Sequence, residues 1–341
     1  MTEFILSLFS SRDKLRVSTL FHLLSGKRTS SVLLYGFFHG LLFIHGSFPT
    51  LKQSEFFTMI EEMTKENLLY VEGKDVKLTP LGKKQLEEQS VDLTGLQYDK
   101  YGRTDNECWR LIKFAVQVVS QLAADEQKYL PVETSPFYSY QIKRWLKEAN
   151  YSRRELAEGL YQELTEIFLL MPRDKADFLA NQFSGNSRIG LLDYQLIKTK
   201  DDTKLKFFQD QCVHLLLAAI SKHKPFLLKL LIQPLLYQNH NQSMLVTRQM
   251  VQEGLSVEQI MARRRLKRGT INDHLIEWAI FFDDFPYEQI VSKKTRNILS
   301  HVSQPIITLN YRDVNIGDLD YGEFRLYQIE QLKGEITNEL N

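Results

Sequence analysis

Five cations crowd into six positions near the carboxyl end: Arg263, Arg264, Arg265, Lys267 and Arg268. Guanidinium and ammonium groups at that density favour one chemistry, charge-assisted hydrogen bonding to phosphate oxygens. Arg263, Arg264 and Lys267 are expected to contact phosphates without regard to base sequence, and Arg265 completes the patch. Arg268 has donors suited to a guanine edge, and Asn272 has the paired donor and acceptor suited to adenine. Thr270 is placed for a phosphate oxygen. Asp273 works against this grouping, because a carboxylate is repelled by phosphate unless it accepts from cytosine.

The flanking residues spell the elements that would position these groups. Ser256 can cap a short helix, and Gln259 three residues on completes a capping box. Ile260 anchors that helix and Leu266 the turn after it. A second helix starts near Gly269 and carries Ile271, Leu275 and Trp278 on one side. Two short helices about a tight turn predict a helix-turn-helix, whose second helix enters the DNA major groove by its N-terminal end. A helical hairpin with a solvated basic edge is the plainer alternative. His274 falls on the inward side and reads as a packed residue. Further on, Asp284 and Pro286 open a helix towards His301 that carries Lys293, Lys294 and Arg296. Residues 305–314 read as irregular or briefly extended. Asp320 with Glu323 then caps a last helix through Phe324, Leu326 and Ile329.

Composition narrows the remaining possibilities. The 341 residues suffice for two or three domains, with 43% hydrophobic and 25% charged residues. A net charge of +1 requires any attraction to a polyanion to be local. Two cysteines without ligand spacing predict neither a disulfide framework nor a zinc site, and point to a reducing cytoplasm. No signal peptide is expected, and the greasiest run, Val32–Ile44, is too short to span a bilayer and reads as a buried helix. Gly185 and Gly190 have phosphate-loop spacing, but Leu191-Leu192 stand where lysine and a hydroxyl are required. With no metal-spaced histidines and no nucleophile motif, the sequence predicts a non-enzymatic protein with no cofactor and no metal.

Helical spacing dominates the chain, so the fold class expected is mainly α and multi-domain. Residues 1–88 read as a winged-helix-like domain. There a helix from Ser54, with Phe56, Phe57, Ile60 and Met63 at core spacing, precedes a hairpin about Glu72-Gly73-Lys74-Asp75. Thr79-Pro80-Leu81-Gly82 leads into a final helix. The helix before the hairpin carries Glu55, Glu61, Glu62 and Glu66 against Lys65, so the domain is expected to contact protein rather than DNA. Residues 88–106 read as a linker and 107–238 as a helical middle domain, with the helix-turn-helix domain at 242–341. In the middle domain, Lys143 and Arg144 lie among aromatics such as Tyr138 and Trp145. These are expected to be core aromatics beside solvated cations, although stacking on bases is a second possibility.

These residues also carry a family resemblance. Gly254-Leu-Ser-Val-Glu-Gln-Ile-Met-Ala-Arg-Arg-Arg-Leu266 followed by Thr270-Ile-x-x-His-Leu275 resembles the helix-turn-helix at the C-terminus of some RecQ-type DNA helicases. Met261 replaces the usual small residue there and Arg265 the usual turn glycine. Asp320-Tyr-Gly-Glu-Phe-Arg-Leu326 is similar to the closing element of that region. Phe21-His-Leu-Leu-Ser-Gly-Lys-Arg-Thr-Ser30 and Ser184-Gly-Asn-Ser-Arg-Ile-Gly-Leu191 resemble the YpbB-type proteins of Gram-positive bacteria. The resemblance implies a helicase tail without its motor, an accessory protein that holds a RecQ-like helicase on DNA. A dimeric transcriptional regulator and a scaffold binding only protein are the alternatives. No membrane partner is expected, and the sequence sets no oligomeric state.

Overall fold

Thr79 shows how local sequence becomes structure here. Its side chain caps the helix Pro80–Glu88 by accepting from the Gly82 amide at 3.0 Å. Pro80, with no amide hydrogen to leave unpaired, sits in the first turn. Gly82 allows the Leu68 carbonyl to approach, since a Cβ there would lie 2.1 Å from that oxygen. The Leu-Thr-Pro-Leu-Gly run is therefore a junction between helix and hairpin. The computed structural model describes residues 1–9, 14–199, 201–302, 305–311 and 319–339. Its contacts gather into two compact units, Met1–Ser25 with Phe43–Asn239, and Gly26–Leu42 with His240–Asn341. The segments expected from sequence, 1–88, 107–238 and 242–341, thus regroup: residues 26–42 join the C-terminal residues, and the rest of 1–88 joins the middle.

In the first unit, strands β1 (Leu15–Arg16), β2 (Leu69–Glu72) and β3 (Asp75–Leu78) form an antiparallel sheet in the order β1-β3-β2. Leu69 pairs with Leu78 and Glu72 with Asp75, so the turn falls at Gly73 and Lys74, with Gly73 at φ +64°. The helix Gln53–Lys65 buries Phe56, Ile60 and Met63 and leaves Glu55, Glu61 and Glu62 exposed. This is the winged-helix-like arrangement expected from sequence.

The larger core is built from the helices Asp105–Ala123, Pro136–Ala149, Arg153–Leu169, Arg173–Ala180, Asp202–His223 and Phe226–Leu236. Leu111, Ile112, Trp145, Leu216, Leu217, Leu228 and Leu231 lie at its centre. Residues 88–106 are not a free linker. Gln97 donates its amide to His214 Nδ1 at 2.9 Å, Gln211 Nε2 donates to the Asp92 carbonyl at 2.7 Å, and Tyr98 and Tyr101 are buried in a short helix. Their polar, glycine-marked sequence concealed this, because the partners lie over a hundred residues away.

Gly185 and Gly190 serve packing. A Cβ on Gly190 would meet the Gln182 carbonyl at 2.1 Å, and one on Gly185 would meet Ser120 Oγ at 2.6 Å. Cys108 and Cys212 are buried free thiols, each pushed up to about 12 by burial.

The second unit contains Ser30–Phe38, Gln242–Gln252, Val257–Arg264, Arg268–Phe281, Lys293–Ser300 and Tyr321–Glu339 as its helices of eight or more residues. The helix predicted over Val32–Ile44 stops at Phe38, because Gly40 takes φ +58°. Of the stretch 305–314, Ile306–Thr308 forms a 3-10 turn, and residues 312–314 lie outside the described residues. Among the described residues no helix is long and apolar enough to cross a membrane.

Candidate nucleic-acid interface

The capping box at Ser256 is closed in both directions: Ser256 Oγ accepts from the Gln259 amide at 3.3 Å, and Gln259 Oε1 accepts from the Ser256 amide at 2.8 Å. It starts the helix Val257–Arg264, whose Ile260 is fully buried. That helix ends at Arg265, at φ +54° and ψ +41°. This left-handed geometry is the one glycine adopts most cheaply, so the turn keeps its shape although an arginine occupies it. Lys267 then begins the helix Arg268–Phe281, which buries Ile271, Leu275, Ile276 and Trp278. The support helix Gln242–Gln252 is capped by Asn241, whose Oδ1 accepts from the Ser243 amide at 3.0 Å. Glu323, in the first turn of the last helix, accepts from the Ser292 amide at 3.0 Å and from Ser292 Oγ and Thr295 Oγ1, each at 2.6 Å.

The seven residues expected at the interface divide into two groups. Arg263, Arg265, Lys267 and Thr270 are exposed, and the three cations among them form no ion pair with the described residues. Lys267 is the N-cap of a helix start for which no side-chain cap is found among the described residues, which leaves first-turn amides for an anion. Gly269 adds no bulk, with open space where a Cβ would stand.

The other three point elsewhere. Arg264 turns into the unit: its Nη1 donates to the Ser243 carbonyl at 2.8 Å and to Thr247 Oγ1, and its Nη2 to Ser243 Oγ at 2.8 Å. It joins the first helix to the support helix, and burial holds its guanidinium below the usual arginine value. Arg268 is held by carboxylates, with Nη1 2.9 Å from Glu258 Oε1 and Nη2 3.7 Å from Asp320 Oδ2. Asn272 is half-buried against Gly322, where a Cβ would lie 2.6 Å from Asn272 Cγ. The two candidate base readers are thus engaged within the unit. Sequence reasoning missed Glu258 and Asp320, which lie on other elements and carry no periodic signal linking them to Arg268.

His274 is buried, and its Nδ1 lies 2.8 Å from Thr247 Oγ1, the hydroxyl that Arg264 also reaches. Burial first, and then Arg264, hold its pKa below the ordinary 6.5, against the opposing pull of Glu277 and Asp273. The unfolded chain therefore takes up the His274 proton more readily than the folded chain. Stability should be fully present above about pH 6.5 and fall as the pH drops towards the lower folded value. Urea unfolding between about pH 7.5 and 5 should show this loss, with a smaller loss in His274→Gln; equal slopes in both proteins would remove His274 as the cause.

This geometry defines a helix-turn-helix unit, and residues 243–328 match the helix-turn-helix domain family. Across 331 residues the chain is 23% identical to protein YpbB of Bacillus subtilis (strain 168), covering 93% of each protein. No solved structure matches.

Proposed function

We propose that this chain is a non-enzymatic DNA-binding protein that tethers a RecQ-like DNA helicase to its substrate during DNA repair or recombination in the cytoplasm. One observation carries the DNA-binding part: Arg263, Arg265 and Lys267 stand exposed, without an ion pair among the described residues, over the last turn of the first helix, the turn and the start of the second helix in a helix-turn-helix domain. The contacts are mainly to phosphate, because Arg268 and Asn272 are occupied. The helicase partner is supported by the resemblance of residues 254–275 and 320–326 to RecQ-type tails. The acidic outer face of Gln53–Lys65 suits a protein surface better than phosphate. A basic foothold of this kind lowers the helicase's dissociation rate through effective concentration and needs no chemistry of its own.

Titrating labelled duplexes against salt in the presence and absence of a RecQ-like helicase tests this reading. A steep salt slope with little sequence preference, and slower helicase dissociation, are expected. A single strongly preferred site would instead make the chain a regulator, and no binding at micromolar protein would make it a scaffold.

The carboxylates on Arg268 give a second test. Glu258→Gln with Asp320→Asn removes two negative charges near the phosphates and frees the guanidinium. At about 1 kcal/mol per close pair in water, duplex affinity should rise about thirtyfold and some preference for guanine should emerge. Unchanged affinity would show that Arg268 lies outside the contact.

A further inference from the structure

The helix Pro136–Ala149 sorts its side chains in a way its sequence did not reveal. Tyr138, Ile142, Trp145 and Ala149 turn inward, and Trp145 Nε1 donates to the Leu227 carbonyl at 3.0 Å. The outward face presents Phe137 (40% exposed), Tyr140 (65% exposed), Lys143 and Lys147, while Arg144 is half-buried. The four outward positions are separated by three, three and four residues, so they share one side of the helix along about 15 Å. Glu148, beside them, has its carboxylate 3.7 Å from Arg144 Nε. Lys143 and Lys147 form no ion pair with the described residues and remain exposed.

We propose that this face binds single-stranded nucleic acid, with Tyr140 and Phe137 stacking on bases and Lys143 and Lys147 holding the phosphates between them. Aromatic rings interleaved with cations fit that partner, since every base offers a π-face and every linkage a negative charge. An anionic lipid surface fits less well. A helix that lies in a membrane needs a broad apolar face directed outward, and here the aliphatic residues Ile142 and Leu146 pack against the core. The surface lies in the first compact unit and does not rest on the helix-turn-helix reading.

Fluorescence anisotropy of the full chain with a labelled oligo-dT of about twenty nucleotides tests the proposal. Tyr140→Ala should weaken binding about tenfold and Tyr140→Phe should restore it, because the ring does the stacking. Lys143→Glu with Lys147→Glu should weaken binding comparably and flatten its salt dependence. Alanine at Arg263, Arg265 and Lys267 should leave oligo-dT binding at this face in place while duplex binding fails, which separates the two readings. Wild-type affinity for oligo-dT in both Tyr140→Ala and the double lysine variant would overturn the proposal. So would binding confined to phosphatidylglycerol vesicles.

Discussion

Replacing Arg263, Arg265 and Lys267 together with alanine is expected to flatten the salt dependence of duplex binding by about 2.7 in log–log slope, near 0.9 for each lost phosphate contact. Carried from a reference near 1 M down to about 0.1 M salt, that slope amounts to roughly a five-hundredfold loss of affinity. The three side chains are exposed and form no ion pair with the described residues, so the unit should keep its stability while it loses its ligand. Arg264→Ala should do the reverse. It removes the donors to the Ser243 carbonyl and Thr247 Oγ1, costing about 1–3 kcal/mol of stability, and leaves the salt slope unchanged. Anisotropy at several salt concentrations, paired with urea unfolding, reads both effects. A salt slope that moves with Arg264 and not with the other three would invert the assignment.

The contrast between these neighbouring arginines marks where the sequence was legible. The box at Ser256 and Gln259 spans three residues, and the apolar stripe of Ile271, Leu275 and Trp278 follows helical spacing. Both are local, so type and spacing determine them. Adjacent positions on a helix differ by about 100° in direction, and which of three consecutive arginines faces inward depends on where the support helix lies. Ser243 and Thr247 decide that question for Arg264. Asp320 reaches Arg268 across fifty-two residues and Gly322 reaches Asn272 across fifty, beyond any periodic signal. The same holds for Tyr140 and Trp145, both aromatic and five residues apart, where only the packed core separates the inward ring from the exposed one.

Arg28 carries the largest expected effect on stability. It lies in the Ser-Gly-Lys-Arg-Thr run near the amino end, within residues that belong to the C-terminal unit. Its Nε donates to Glu277 Oε1, and its guanidinium lies 4.9 Å from the Phe281 ring centroid. The two side chains of the ion pair are only 11% and 5% exposed. Glu277 also accepts from Asn241 Nδ2 at 2.8 Å, at the cap of the support helix. Arg28→Met would leave a buried carboxylate with one neutral donor and should cost about 3–5 kcal/mol. Arg28→Met with Glu277→Met should recover most of that loss, because desolvating the pair costs much of what its attraction returns. Amide hydrogen exchange in the helix Arg268–Phe281 reports on this unit directly; wild-type protection in the single variant would defeat the argument. The same contacts imply that a fragment beginning at His240 should lack a cooperative unfolding transition. It would lack Arg28, and it would also lack Leu33 and Leu34, which are buried with Ile271, Leu275, Trp278 and Phe324. The basic elbow therefore depends on a helix that the chain makes more than two hundred residues earlier, and duplex binding should disappear from the fragment for want of a fold.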